Sequence, residues 1–110
     1  MFKILSILFI LFSFNVFSNN IAFGTLKGIK VYDYSSEKIT KIYFSSDATN
    51  KDVPSCGGVV TLTHSLRSEQ SLNTMIGIAM TAYVSGKKVR AFSSGDTCEA
   101  DFLALQDSIF

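Results

Sequence analysis

Apolar residues recur along this chain with two different periods, and the change of period sets one segment apart. Between Ser68 and Gly86, Leu72, Met75, Ile76, Ala79 and Tyr83 fall at i, i+3, i+4, i+7 and i+11. That spacing gathers side chains on one face of a helix. Ser68 suits the N-cap, and Glu69 puts an anion in the first turn, where the helix dipole favours it. Gly86 suits the left-handed position that ends a helix, and Lys87 and Lys88 follow at the negative end of the dipole. One buried helix is expected in the middle of the chain.

Around it, alternation and turn formers predict short strands. Residues 24–34 place Ile29, Val31 and Asp33 on one side and Lys30, Tyr32 and Tyr34 on the other. Gly28 within that run marks a bulge or sharp bend. A polar turn at 35–38 leads to a second strand at 39–46, and so short a connection implies an antiparallel hairpin. Residues 47–58 hold the only proline and read as loop, while 58–64, rich in β-branched residues, form a third strand. After the helix, residues 87–94 oppose Val89 and Ala91 to Arg90 and Phe92. Residues 100–110 fit strand alternation through Leu103, Leu105 and Ile109, and a helical turn through Phe102, Leu105, Gln106 and Ile109. A strand is expected, because no cap precedes a helix there. Residues 19–23 read as a loose lead. The order β-β-β-α-β-β makes the chain mainly β with one helix. It fits an OB-fold-like five-stranded antiparallel barrel whose helix plugs one end. A small α+β sandwich is the competing architecture.

The N-terminus changes the picture. Lys3 supplies a basic start, residues 4–14 are almost wholly apolar, and Ser18 ends a small-residue cleavage pattern with Val16 two before it. A signal peptide over residues 1–18 is expected, with residues 19–110 as a single OB-like domain and no membrane association after cleavage. An uncleaved membrane anchor is the alternative, though the apolar run is short for a bilayer. The expected location is secreted or periplasmic. Loss of Lys3 leaves nine of the ten basic residues against nine acidic ones, so nothing in the charge calls for nucleic acid or an anionic membrane as partner.

A domain this small buries about 60–70% of its surface on folding and benefits from a staple. Cys56 and Cys98 are the two cysteines, and in an oxidising compartment they are expected to pair. His64 is the only histidine, and no cysteine has a second one nearby, so neither a metal nor any other cofactor is expected. Asp96, Glu99 and Asp101 lie close in sequence, without the ligand spacing of a Ca²⁺ loop. No serine sits in a nucleophile elbow, and His64 reads as a polar strand-end residue. No catalytic residue emerges, and the chain is not expected to be an enzyme.

Two surfaces carry candidate binding chemistry. Tyr32, Tyr34 and Tyr43 fall on neighbouring strands, where they suit a sugar-binding aromatic patch or, more simply, cross-strand packing. The polar face of the helix, Gln70, Asn73, Thr74, Gly77 and Thr81, is small and uncharged where a solvated helix usually carries Lys and Glu. Gly77 costs that helix about 1 kcal/mol against Ala. Such a stripe suits close approach by another helix, or ordinary solvent.

The run MTAYVSGKKVRAF adds a resemblance. Tyr83, Ser85, Gly86, Val89 and Arg90 match a helix ending in an aromatic-rich turn, a small-residue–Gly stop and a strand opening with Val-Arg. In this it resembles the B subunits of pentameric AB toxins of the subtilase cytotoxin and typhoid toxin type. The resemblance implies an OB fold, a ring-shaped homo-oligomer (a pentamer) and binding of cell-surface glycans. It equally fits a small exported protein of that family without a toxic partner. The cysteine placement and the short 93–99 connection depart from the toxin pattern, and the family's serine-bearing glycan site has no clear counterpart, Thr25 lying only in its neighbourhood. Two functions are therefore expected to compete: an exported glycan-binding, oligomeric module, and a monomeric protein-binding or inhibitory domain of the periplasm or exterior.

Overall fold

In a computed structural model, which describes residues 19–110, the chain forms two three-stranded antiparallel sheets and one long helix. The expected signal peptide, residues 1–18, lies outside the described residues. The strands are β1 (Asn19–Gly24), β2 (Leu26–Asp33), β3 (Lys38–Phe44), β4 (Val59–Thr63), β5 (Val89–Ser93) and β6 (Phe102–Leu105), with helix α1 (Glu69–Ser85) between β4 and β5. One sheet runs β1-β5-β6 and the other β2-β3-β4.

Among the described residues the mainly β fold with one helix stands, but with six strands, not five. The additional one is β1, which was expected to be a loose lead. Its Ile21, Ala22 and Phe23 are all buried. A strand covered on both faces shows no alternation, and three apolar residues are too few to announce one. Thr25 alone separates β1 from β2, which belong to different sheets. Gly24 makes the break possible. Its φ is 156°, and a Cβ there would come within 3.0 Å of Ala48, so backbone and loop meet where no side chain fits. A register shift between Leu26 and Gly28 places a bulge where Gly28 predicted one.

The core lies between the sheets. Ile21, Ile42, Val60, Leu62 and Val89 are fully buried, and Ala48 and Val53 close it from the loop after β3. Besides the two sheets, Thr61 of β4 makes a parallel bridge to Glu99: Thr61 N–H donates to the Cys98 carbonyl and Ala100 N–H to the Thr61 carbonyl. The Cys56–Cys98 disulfide fastens the same segment, with Cα atoms 5.6 Å apart.

Helix α1 follows its sequence signals closely. The Ser68 hydroxyl accepts the Ser71 N–H at 3.1 Å, and Gly86 takes a left-handed conformation at φ 69°. The helix packs against β2 of one sheet and β6 of the other. Leu72 and Ala79 are buried, with Met75 and Ile76 partly so. The expected stripe fails at its last turn, where Ala82 is buried and Tyr83 is half exposed. The face that packs is turned from the expected stripe towards the side of Met75, Ile78 and Ala82, and the Ala82 methyl lets the helix end sit close to the sheets. The final strand is also shorter than expected. It stops at Leu105, where Gln106 N–H turns to the Lys88 carbonyl.

Of the residues behind the toxin resemblance, Val89 enters the core. Arg90 donates from Nε to Asn20 Oδ1 at 2.7 Å and from Nη1 to the Phe110 carbonyl at 2.6 Å. It does so above the stacked rings of Phe92 and Phe102. Among the described residues no helix is long and apolar enough to cross a membrane.

Candidate functional site

Strand periodicity builds the outer face of the β2–β3 hairpin. Thr40, Ile42 and Phe44 point into the core, so Ile39, Lys41 and Tyr43 point out. The register sets Lys30 opposite Lys41 and Tyr32 opposite Ile39 on that same outer face. Tyr34 follows just beyond the end of β2. The structure thus brings the three tyrosines together. The hydroxyls of Tyr32 and Tyr43 lie 3.4 Å apart, and the rings of Tyr32 and Tyr34 stack with centroids 5.9 Å apart. The hydrogen bond to Tyr43 holds the Tyr32 phenol above the ordinary tyrosine range, and burial adds to the effect.

Two of the rings are already occupied. Lys30 Nζ sits 5.2 Å from the centre of Tyr43, and Lys41 Nζ 5.6 Å from that of Tyr32. Among the described residues no cation lies over the Tyr34 ring, and Tyr34 is 64% exposed. It carries the open aromatic surface of the cluster.

Directly after Tyr34, a two-residue turn reverses the chain. Tyr34 N–H donates to the Glu37 carbonyl and Glu37 N–H to the Tyr34 carbonyl. Between this turn and the end of β4 opens a cleft of about 800 Å³. Ser35, Ser36, Glu37 and Lys38 form one wall, and Thr63, His64 and Ser65 the other. Lys38 pairs with Asp33 at 3.4 Å in an exposed ion pair. His64 Nε2 lies 2.9 Å from Oγ1 of Thr40, a fully buried hydroxyl. A buried threonine needs a partner, and the imidazole provides it.

Glu99 holds the second wall. Its carboxylate accepts the Thr63 N–H at 3.1 Å, the Thr63 hydroxyl, and Arg67 Nη2 at 2.8 Å. Arg67 also donates to the Ala100 carbonyl, and the pair is 12% and 24% exposed respectively. Glu99, close in sequence to Asp96 and Asp101, thus caps the end of β4. Nothing in the sequence marks it, because its partners lie more than thirty residues away. Asp101 engages Ser94, so the acids at 96, 99 and 101 do not converge. Among the described residues no group of three His, Cys, Asp or Glu side chains could hold a metal.

On the helix, Gln70, Asn73, Thr74, Gly77 and Thr81 are all exposed. The Thr74 hydroxyl turns back to the Gln70 carbonyl at 2.9 Å. A Cβ at Gly77 would meet nothing within 4 Å. Beside this face, Met80, Tyr83 and Val84 form an exposed apolar strip, Val84 at 81%.

Comparison with models of protein families, with curated proteins and with solved structures finds no match to this chain. What the chain does must follow from its own side chains.

Proposed function

We propose that the chain is an exported, non-enzymatic binding module that takes a glycan at the tyrosine face of the β2–β3 hairpin. The observation that carries this is the cluster of Tyr32, Tyr34 and Tyr43 on an outer sheet face, with the Tyr34 ring largely exposed. Aromatic rings beside hydroxyls offer a sugar both a stacking surface and hydrogen bonds. The Cys56–Cys98 disulfide fits a life in an oxidising compartment, secreted or periplasmic.

The architecture is best understood as OB-like. Counting β1 and β2 as one bent strand shared by both sheets gives five strands with the helix between the third and fourth, the order of that fold. The parallel contact of β4 with the segment before β6 supports closure on the remaining side. With this architecture, assembly similar to the pentameric toxin B subunits would use the Gln70–Thr74–Gly77–Thr81 face. The support is Gly77, a helix-weakening residue that no neighbour among the described residues requires. The purified domain should sediment as a ring-sized oligomer and give reproducible signals on a glycan array. A monomer with an empty array removes both halves.

One observation favours the second reading, a monomeric protein-binding or inhibitory domain. Met80, Tyr83 and Val84 expose apolar surface on one side of the helix, as protein-contact surfaces do. A monomer that captures a protein partner through this strip, with no sugar competing, would favour it.

A further inference from the structure

The cleft at the hairpin turn lies outside the tyrosine cluster, and its chemistry differs from that of a packing defect. Its volume of about 800 Å³ falls in the range typical of small-ligand sites. Its walls carry polar groups that the fold leaves unused. The hydroxyls of Ser35, Ser36 and Ser65 and the carboxylate of Glu37 have no hydrogen-bond or ion-pair partner among the described residues. The buried Thr40 engages Nε2 of His64, which fixes the ring and leaves Nδ1 as its free nitrogen. These groups are held on two separately braced walls. Paired backbone hydrogen bonds close the turn, and Glu99 pins Thr63 by its N–H and its hydroxyl.

The set also selects a chemistry. Serine hydroxyls both donate and accept, a carboxylate accepts, and an imidazole nitrogen does either by tautomer. Lys38 is paired with Asp33, which among the described residues leaves Glu37 as a single unpaired carboxylate on that wall. A phosphate or a metal would find no concentration of one sign here. A ligand covered in hydroxyls and carrying no net charge would find a partner for each. The exposed ring of Tyr34, next to Ser35 in the chain, offers the apolar surface that the C–H face of a pyranose needs. We propose that this cleft seats a terminal, uncharged pyranose. Glu37, His64 and the serines hydrogen-bond its hydroxyls, and Tyr34 stacks against it at the rim. The inference rests on the glycan-binding reading and gives it a pocket and a ligand class.

Isotope-labelled domain titrated with methyl glycosides of the neutral hexoses and N-acetylhexosamines tests it, followed by NMR. His64 is the only histidine, so its ring signals report on the cleft without ambiguity. The expected result is a saturable shift of the His64 ring and of the Ser35, Ser36 and Ser65 amides for at least one glycoside. Glu37→Gln should weaken that binding roughly 3- to 10-fold. Ser36→Trp, on an exposed turn, should abolish it while the core amide signals keep their positions. Saturable shifts confined to Tyr32 and Tyr43 would overturn the cleft and leave the glycan reading standing. Binding of acidic glycans alone would overturn the ligand class. Silence towards every glycoside, together with an empty glycan array, would overturn both.

Discussion

Gly77 stands on the exposed side of a helix, with open space where a side chain would be. In the isolated domain Gly77→Ala should therefore raise stability by up to about 1 kcal/mol, seen as a higher denaturant midpoint. If a second helix approaches there, the same change should weaken assembly, so the two measurements move in opposite directions. Glu99 is the reverse case, a residue whose removal leaves others stranded. Glu99→Ala should cost about 2–3 kcal/mol in chemical unfolding, because Arg67 loses its counter-charge and the Thr63 N–H its carboxylate acceptor in a partly buried site. Asp101 governs the acid side. Hydrogen bonds from the Ser94 hydroxyl and N–H, with the Arg67 charge adding, hold its carboxyl below the usual range. A folded pKa below the unfolded one gives stabilisation that is complete above the unfolded value, near 3.9, and fades as pH falls through the folded one. Asp101→Asn should lower stability by a constant amount above about pH 4 and flatten the fall below it, with the slope on the alkaline side unchanged. Stability curves of the two proteins against pH check this.

At the scale of elements, local signals were legible and distant ones were not. The helix could be placed from Ser68 to Gly86 because cap, stripe and stop are all written within one segment. The hairpin strands and the bulge near Gly28 followed from alternation and a single glycine. β1 escaped because both its faces are covered, leaving Ile21, Ala22 and Phe23 without a period. The shortened β6 escaped because Ile109 continues the alternation of Leu103 and Leu105 after the chain has left the sheet. The tyrosines could be grouped from strand parity, but not the lysines capping two of them, nor the cleft, whose walls lie some thirty residues apart. Helix packing gives this scale its own prediction. Leu72→Ala should destabilise by about 2–4 kcal/mol, whereas Tyr83→Ala, half exposed, should change unfolding by less than about 1 kcal/mol.

For the whole molecule, the segment carrying Cys98, Glu99 and Ala100 ties the two sheets together where their own ladders do not meet. The disulfide closes 42 residues of chain around that tie. Its loss should cost roughly 4 kcal/mol in the loop-closure account, a large share of the stability of so small a domain. Cys56→Ala/Cys98→Ala, compared with the oxidised protein in chemical unfolding, measures it. The same tie braces Thr63 and with it one wall of the cleft, so the staple and the binding surface are parts of one construction. The claim at the centre is that this surface binds a sugar through Tyr34. Its most direct test is a glycan array run in parallel with the native domain and with Tyr34→Ala, an exposed change that leaves the fold intact. Reproducible signals are expected for the native protein and should disappear in the variant. An empty array for both, or signals that Tyr34→Ala leaves unchanged, would contradict it.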